Sequence, residues 1–362
     1  MNKTVAYVGS GDRTKTEGIH IFSLDRASGT LSLVDQEKTV ESATFLAIAP
    51  SRRYLYALND DHSLGDPSGQ IHAFAIEPGT GRLSYLDRRS TQGTTPCYLA
   101  IDQTEQYAIV TNFRGAGDIG STTVLPIARD GCLGSASHMI QHPGASIYPV
   151  RQRCSHPHSA TIGPANRFVI VADLGIDKMM IYRLDLERGK LVPEGVPEVS
   201  IESGSGPRNF CFHPSGRYAY LINELNSTVA AFGWDQARGV LDHIHTQSTL
   251  PEGFAGQNTG ADIRVASSGT FIYGSNRGHD SIAIIAVDGQ TGKLTLVDCA
   301  ASQGSAPRSI ALDPTGEWML VANRRTNSVV VLHIDPQTGQ LSPTGHSVQV
   351  PTPVCVQICK QD

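Results

Sequence analysis

The apolar positions of this chain fall in short runs, and the runs come in pairs. The first members read "TVAYVG", "YLYALN", "YAIVTN", "FVIVAD", "YAYLIN", "FIYGSN" and "WMLVAN". The second members read "IHIFSL", "IHAFAI", "TTVLPI", "MMIYRL", "VAAFGW", "IAIIAV" and "VVVLHI". Each pair is followed by Gly-x-Leu, at Gly29, Gly81, Gly131, Gly189, Gly239, Gly292 and Gly339, so by subtraction the unit recurs after 52, 50, 58, 50, 53 and 47 residues. A third run precedes most pairs: "FLAIAP", "CYLAID", "HSATIG", "NFCFHP", "DIRVAS" and "SIALDP". A fourth strand follows each Gly-x-Leu. Short segments rich in Val, Ile, Tyr and Phe, separated by turn residues, predict strands. No sustained helical period interrupts them, which excludes a barrel of alternating strands and helices. Four strands per unit, seven times, predict an all-β, seven-bladed β-propeller spanning residues 1–362 as a single domain. We letter the strands A to D within a unit. The first unit lacks its A strand, and "VCVQIC" (Val354 to Cys359) supplies one at the other end. The C-terminal strand is therefore expected to join the N-terminal blade and close the ring, which removes two exposed sheet edges.

This arrangement gives charged positions a shared place. In an antiparallel blade, the residue before A and the residue after B meet at one rim, near the central channel. Arg208 precedes an A strand and Glu224 follows its B strand. His156, His158, Arg264 and Arg308 stand at or before other A strands. Asn59, Asn112, Asp173, Asn223, Asn276, Arg277, Asn323 and Arg324 end B strands. Asn and Asp at a strand end are also ordinary turn chemistry. Several arginines with one acid and one imidazole suit an anionic small molecule and proton transfer.

Composition narrows the classes of function. The 362 residues carry 29 Lys+Arg against 34 Asp+Glu, a net charge of −5. Mild acidity provides no general pull toward nucleic acid or an anionic membrane, so neither partner is expected. No stretch approaches the ~18 apolar residues of a membrane span. "MNKTVAYVGSG" enters a strand-like run directly, without the apolar core of a secretory signal. The seven cysteines are scattered, odd in number and contain no C-x-x-C. Free thiols in a reducing, cytoplasmic setting are the expectation. His138 and His142 lack any zinc-like spacing to His156 and His158, and neither a metal nor another cofactor is expected. No G-x-S-x-G is present, which favours direct attack by water over an acyl-enzyme. Oligomeric state is not legible.

Four longer motifs then become specific: "RQRCSHPHS" (Arg151 to Ser159), "GPRNFCFHPSGRYAYLINELNSTV" (Gly206 to Val229), "GADIRVASSGTFIYGSNRGHDSI" (Gly260 to Ile282) and "APRSIALDPTG" (Ala306 to Gly316). Over nearly its whole length the chain resembles the seven-bladed lactonase family of bacterial 6-phosphogluconolactonases and the fungal carboxymuconate-lactonizing enzyme. The resemblance implies hydrolysis of a sugar lactone, with 6-phosphogluconolactone the leading substrate. It places the catalytic residues at His158 (or His156), Arg208, Glu224 and Arg277. Substrate contacts are expected from His156, Asn223, Arg264, Asn276 and Arg308. Glu224 or His158 would activate water. A cycloisomerase, or a lactonase for another carboxylated lactone, would use the same arginines. A non-enzymatic binding platform is the alternative of another class; its usual Trp-Asp repeats are absent. One departure stands out: the family often has His after the "GPR" arginine, and this chain has Asn209.

Overall fold

The computed structural model describes residues 4–11, 18–60 and 68–361. Among them run 28 strands in seven four-stranded antiparallel sheets, with one short 3-10 turn at Ala116–Asp118. Blade five shows the common plan. Its strands are Pro207–Phe212, Tyr218–Asn223, Thr228–Asp235 and Val240–Ser248, ordered from the channel outward. In blade one the inner strand is Pro353–Lys360, laid against Thr4–Ser10 with Thr4 opposite Lys360 and Gly9 opposite Cys355. The C-terminal segment thus closes the ring as the missing first A strand required.

The B and C runs are buried along most of their length and largely apolar because both faces of each sheet are covered by neighbouring blades. Successive residues of one strand serve opposite cores. Val5 and Tyr7 pack with Leu46, Leu55 and Phe74 of blade two. Ala6 and Val8 pack with Trp318 and Leu320 of blade seven. The outer strands face water and read polar, as in Leu31–Glu37. One outer strand departs from the pattern. After Gly131 the chain makes a single bridge, Ile127 to Leu133, and the strand itself is only His138–Ile140.

Gly-x-Leu marks the contact between blades. Gly239 has φ +67°, and a Cβ there would lie 2.5 Å from the Phe168 ring of the preceding blade. Gly29 meets Trp318, Gly131 meets Tyr54 and Gly339 meets Phe271 in the same way. The loop carbonyls are used as well: Tyr7 Oη donates to Gly81 O at 2.8 Å and Tyr56 Oη to Gly131 O at 3.0 Å. Each aromatic at the start of a B strand is therefore docked onto the next blade's glycine turn. Such a turn needs both a positive φ and the absence of a side chain.

Candidate active site

Five of the seven inner strands share an irregularity that builds the site. Pro207 lies opposite Asn223 and Asn209 opposite Ile222, which leaves Arg208 as an extra, unpaired residue. His158, Arg308, Cys97 and Val354 are extra residues at the same level of their blades. A bulge of this kind bends the strand and re-aims its side chain. A proline precedes each one, and proline is tolerated at a bulge because it has no N–H to contribute. The result is one small chamber at the channel mouth, about 20 Å³, lined by the bulge residues together with Thr44, Asn209 and Asp262. That is room for a water and not for a sugar ring.

Glu224 is held behind this chamber. Its N–H donates to Gly206 O at 2.7 Å and its carbonyl accepts from Gly260 N at 3.0 Å, so its backbone joins two blades. Arg208 Nε donates to Glu224 Oε2 at 2.9 Å, and Arg277 Nη2 lies 3.0 Å from the same oxygen. Arg151 Nη2 donates to Oε1. Arg208 also donates to the Ala261 carbonyl, and Arg277 to the Gly260 carbonyl at 2.9 Å. Burial alone would raise the Glu224 pKa. Arg277, Arg208, His158 and Arg151 outweigh it and hold the carboxyl far below the usual range. Glu224 is thus a fixed anion and a poor proton acceptor.

The other groups of the mouth are less fully satisfied. Burial, then Arg208 and Arg308, push the His158 imidazole well below its ordinary 6.5. It is neutral at pH 7, and its buried Nδ1 has no partner among the described residues. Burial and the neighbouring Arg208, Arg277 and Arg324 push Arg308 down to about 9. Arg308 makes no hydrogen bond or ion pair among the described residues. Guanidiniums here outnumber carboxylates, and the shortage of counter-charge invites an anion.

The expected site residues do not all gather. His158, Arg208 and Arg308 share the chamber, while Glu224 and Arg277 stand in its wall. His156 lies outside it, stacked on Phe113 at 4.4 Å, with Nδ1–H donating to Phe113 O at 2.7 Å. Arg264 is a correction. It was expected at the rim, but its strand is Thr259–Val265, and Ala261 and Asp262 bulge against Ser275. Arg264 therefore pairs with Tyr273 deep in the strand, at the level of Cys211, and binds Asp262 Oδ1 at 3.0 Å. Asn223 and Asn276 are a second correction. Asn276 is fully buried and bonds to Thr249 O at 2.8 Å, Thr249 Oγ1 at 2.7 Å and Asn258 Nδ2 at 3.0 Å. Asn223 Nδ2 bonds to Thr228 Oγ1 at 2.9 Å. Strand alternation turns both amides away from the chamber, into the seams between loops. Asp173 is likewise committed, to His142, Ser155 and the His156 N–H.

Sequence reasoning missed Cys97, Phe113, Arg151 and Asp262. Pro96-Cys97 and Pro353-Val354 repeat the Pro-x entry of the arginine blades, which was a usable signal. Cys97 itself is inert as a nucleophile, since burial pushes its thiol up to about 11. Asp262 accepts Asn209 Nδ2 at 2.9 Å and Ser309 Oγ at 3.1 Å, so the asparagine that replaces the family's histidine is held in place. Asp118, Cys154 and His156 bring potential ligand atoms within 4.8 Å of one another. Asp118 is already engaged by Arg153 and by Arg114 Nε at 3.5 Å, and that positive surround opposes a metal ion.

A seven-bladed ring with arginines, a carboxylate and a neutral imidazole at one mouth is the architecture of a propeller lactonase. The chain belongs to that family: the model of the seven-bladed β-propeller lactonases matches residues 5–358. A 6-phosphogluconolactonase of Bacillus subtilis is 32% identical over 361 residues, covering 100% of both chains. One of Formosa agariphila is 29% identical over 319 residues, 87% of this chain and 88% of its own. Among solved structures, the periplasmic gluconolactonase of Pseudomonas aeruginosa superposes with a TM-score of 0.93 at 30% identity, covering 99% of this chain and 100% of that one.

Proposed function

We propose that the protein hydrolyses 6-phosphogluconolactone to 6-phosphogluconate, using water activated at the channel mouth. The observation that carries this is the pairing, in one chamber, of a neutral partnerless imidazole, His158, with an uncompensated guanidinium, Arg308. Water in reach of His158 attacks the lactone carbonyl carbon, and the imidazole takes its proton. Arg308, with Arg208, meets the oxyanion of the tetrahedral intermediate, where negative charge develops. The ring C–O bond then breaks, the leaving oxygen takes the proton back from His158, and the carboxylic acid formed gives up its own proton to solvent to leave a carboxylate. Glu224 acts through the arginines, which it aligns, rather than as the base. Phosphorylated sugars are retained inside cells, so this substrate goes with a cytoplasmic protein.

Hydrolysis of unphosphorylated gluconolactone is the second candidate, favoured by the likeness to the Pseudomonas aeruginosa gluconolactonase. Purified protein assayed at neutral pH against both lactones and a carboxymuconolactone, with spontaneous opening subtracted, tests both. A kcat/KM for 6-phosphogluconolactone at least tenfold above that for gluconolactone supports the first. The reverse order supports the second, and no acceleration of any lactone overturns both.

A further inference from the structure

Beside the chamber lies a wider cleft of about 300 Å³, on the far side of the Phe113 ring. We propose that this cleft is a phosphomonoester subsite, which holds the phosphate of the lactone while the ring reaches the channel mouth. The inference rests on the function proposed above and names residues outside its catalytic set.

Three guanidiniums face the cleft: Arg114, Arg151 and Arg153. Their side chains are 48%, 45% and 59% exposed, so the heads stand ready for a ligand instead of being sealed in the core. One local carboxylate, Asp118, answers Arg114 and Arg153. Arg151 shares Glu224 with two buried arginines. The cleft is therefore short of negative charge by more than a surface ion pair would leave. A phosphate dianion matches the forked donors of several arginines at once.

The placement also fits the reaction. Arg151 touches both sites, with Nη2 on Glu224 and its guanidinium carbon 5.7 Å from the centre of the Phe113 ring. The Phe113 ring meets His158 edge-on at 5.7 Å and stacks on His156 at 4.4 Å. The breadth of one aromatic ring thus separates the cleft from the proposed base. The lactone spans that gap, because its carbonyl carbon and its phosphate are joined only through the ring oxygen, C5, C6 and the ester oxygen. The chain itself marks the spot: the segment carrying Arg151, Arg153 and His156 lies within the longest of the six repeat intervals, Gly131 to Gly189. Its Ile147 and Tyr148 lie against Gly204, in the connection between blades four and five. His156 lines this cleft too, but its Nδ1–H is committed to Phe113 O, which leaves a neutral ring only the Nε2 acceptor; it suits a sugar hydroxyl of the ligand and leaves the phosphate to the arginines.

The test uses the full chain and its Arg153→Ala and Arg153→Lys variants, with 6-phosphogluconolactone, gluconolactone and inorganic phosphate. Losing a charge-assisted contact raises KM for the phosphorylated lactone roughly 10- to 100-fold. The kcat/KM for gluconolactone stays within about twofold in the same variant, and Arg153→Lys recovers part of the loss. Inorganic phosphate inhibits the parent competitively and Arg153→Ala more weakly. An equal loss on both lactones, or no loss on either, overturns the subsite. Should the parent open no lactone at all, the proposed function fails separately. Calorimetric titration with inorganic phosphate then decides the subsite: binding by the parent that Arg153→Ala abolishes supports it, and no binding by the parent overturns it.

Discussion

His158→Asn and Glu224→Gln divide the proposed chemistry between two residues that both lie in the field of Arg208. Asn keeps a hydrogen-bonding side chain at the bulge and removes the proton acceptor. General acid–base groups contribute roughly 10²–10⁴-fold, so kcat is expected to fall by that factor with KM little changed, about 3–5 kcal/mol of barrier. Gln at 224 keeps the shape but removes the charge that binds Arg208, Arg277 and Arg151. Uncovering a buried ion pair costs about 3–5 kcal/mol of stability. Its consequence is a lower melting temperature and a raised KM from misaligned arginines, with kcat within about tenfold of the parent. The pH–rate profile separates the two further. The folded pKa of His158 lies below 6.5, so the imidazolium is the inactive form. Activity should climb as pH rises through that lowered value, stay flat across neutral pH and fall as pH passes about 9, where Arg308 loses its proton. His158→Asn should lose this acid limb, whereas Glu224→Gln should keep it, displaced to lower pH because the lost carboxylate is a charge that raises the His158 pKa. A continuous assay of 6-phosphogluconolactone opening, corrected for the uncatalysed rate, reads all of these quantities. If His158→Asn stays within a few-fold of the parent and retains the limb while Glu224→Gln collapses kcat, Glu224 is the base and the reasoning from its arginine cage is wrong.

Three other outcomes follow from the packing. Arg308→Met should raise the melting temperature modestly, because it removes an unpaired half-buried cation, and should lower kcat/KM by at least ~10²-fold; a stable variant with full activity would refute the oxyanion role. Deleting residues 351–362 removes the inner strand that pairs with Thr4–Ser10, and calorimetry should show loss of the whole cooperative transition instead of fraying of one blade. Gly239→Ala places a Cβ 2.5 Å from Phe168 at φ +67°, for an expected loss of about 1–3 kcal/mol; an unchanged urea midpoint would show that this contact between blades yields without cost.

Local pattern determined the fold of this protein. Runs apolar on every residue demand cover on both faces, turn residues divide them, and seven glycines count the units. A missing first A strand and a spare last one leave a single economical closure. The motif residues also placed Arg208, Glu224 and Arg277 near one another, since antiparallel neighbours bring the start of A beside the end of B. Orientation was decided only in three dimensions. One bulge residue in each of their strands brings His158, Arg208 and Arg308 to the channel mouth, while a displaced bulge in blade six leaves Arg264 at a deeper level, bound to Asp262. Period-two alternation reads one residue wrongly wherever an extra residue enters the ladder. The reach of Arg151 from a loop to Glu224, 73 positions along the chain, was not legible either. Nor was the division of labour at the mouth. A carboxylate is a base or a fixed anion according to how many guanidiniums surround it, and that number is set by the packing of separate blades, which no single stretch of sequence records.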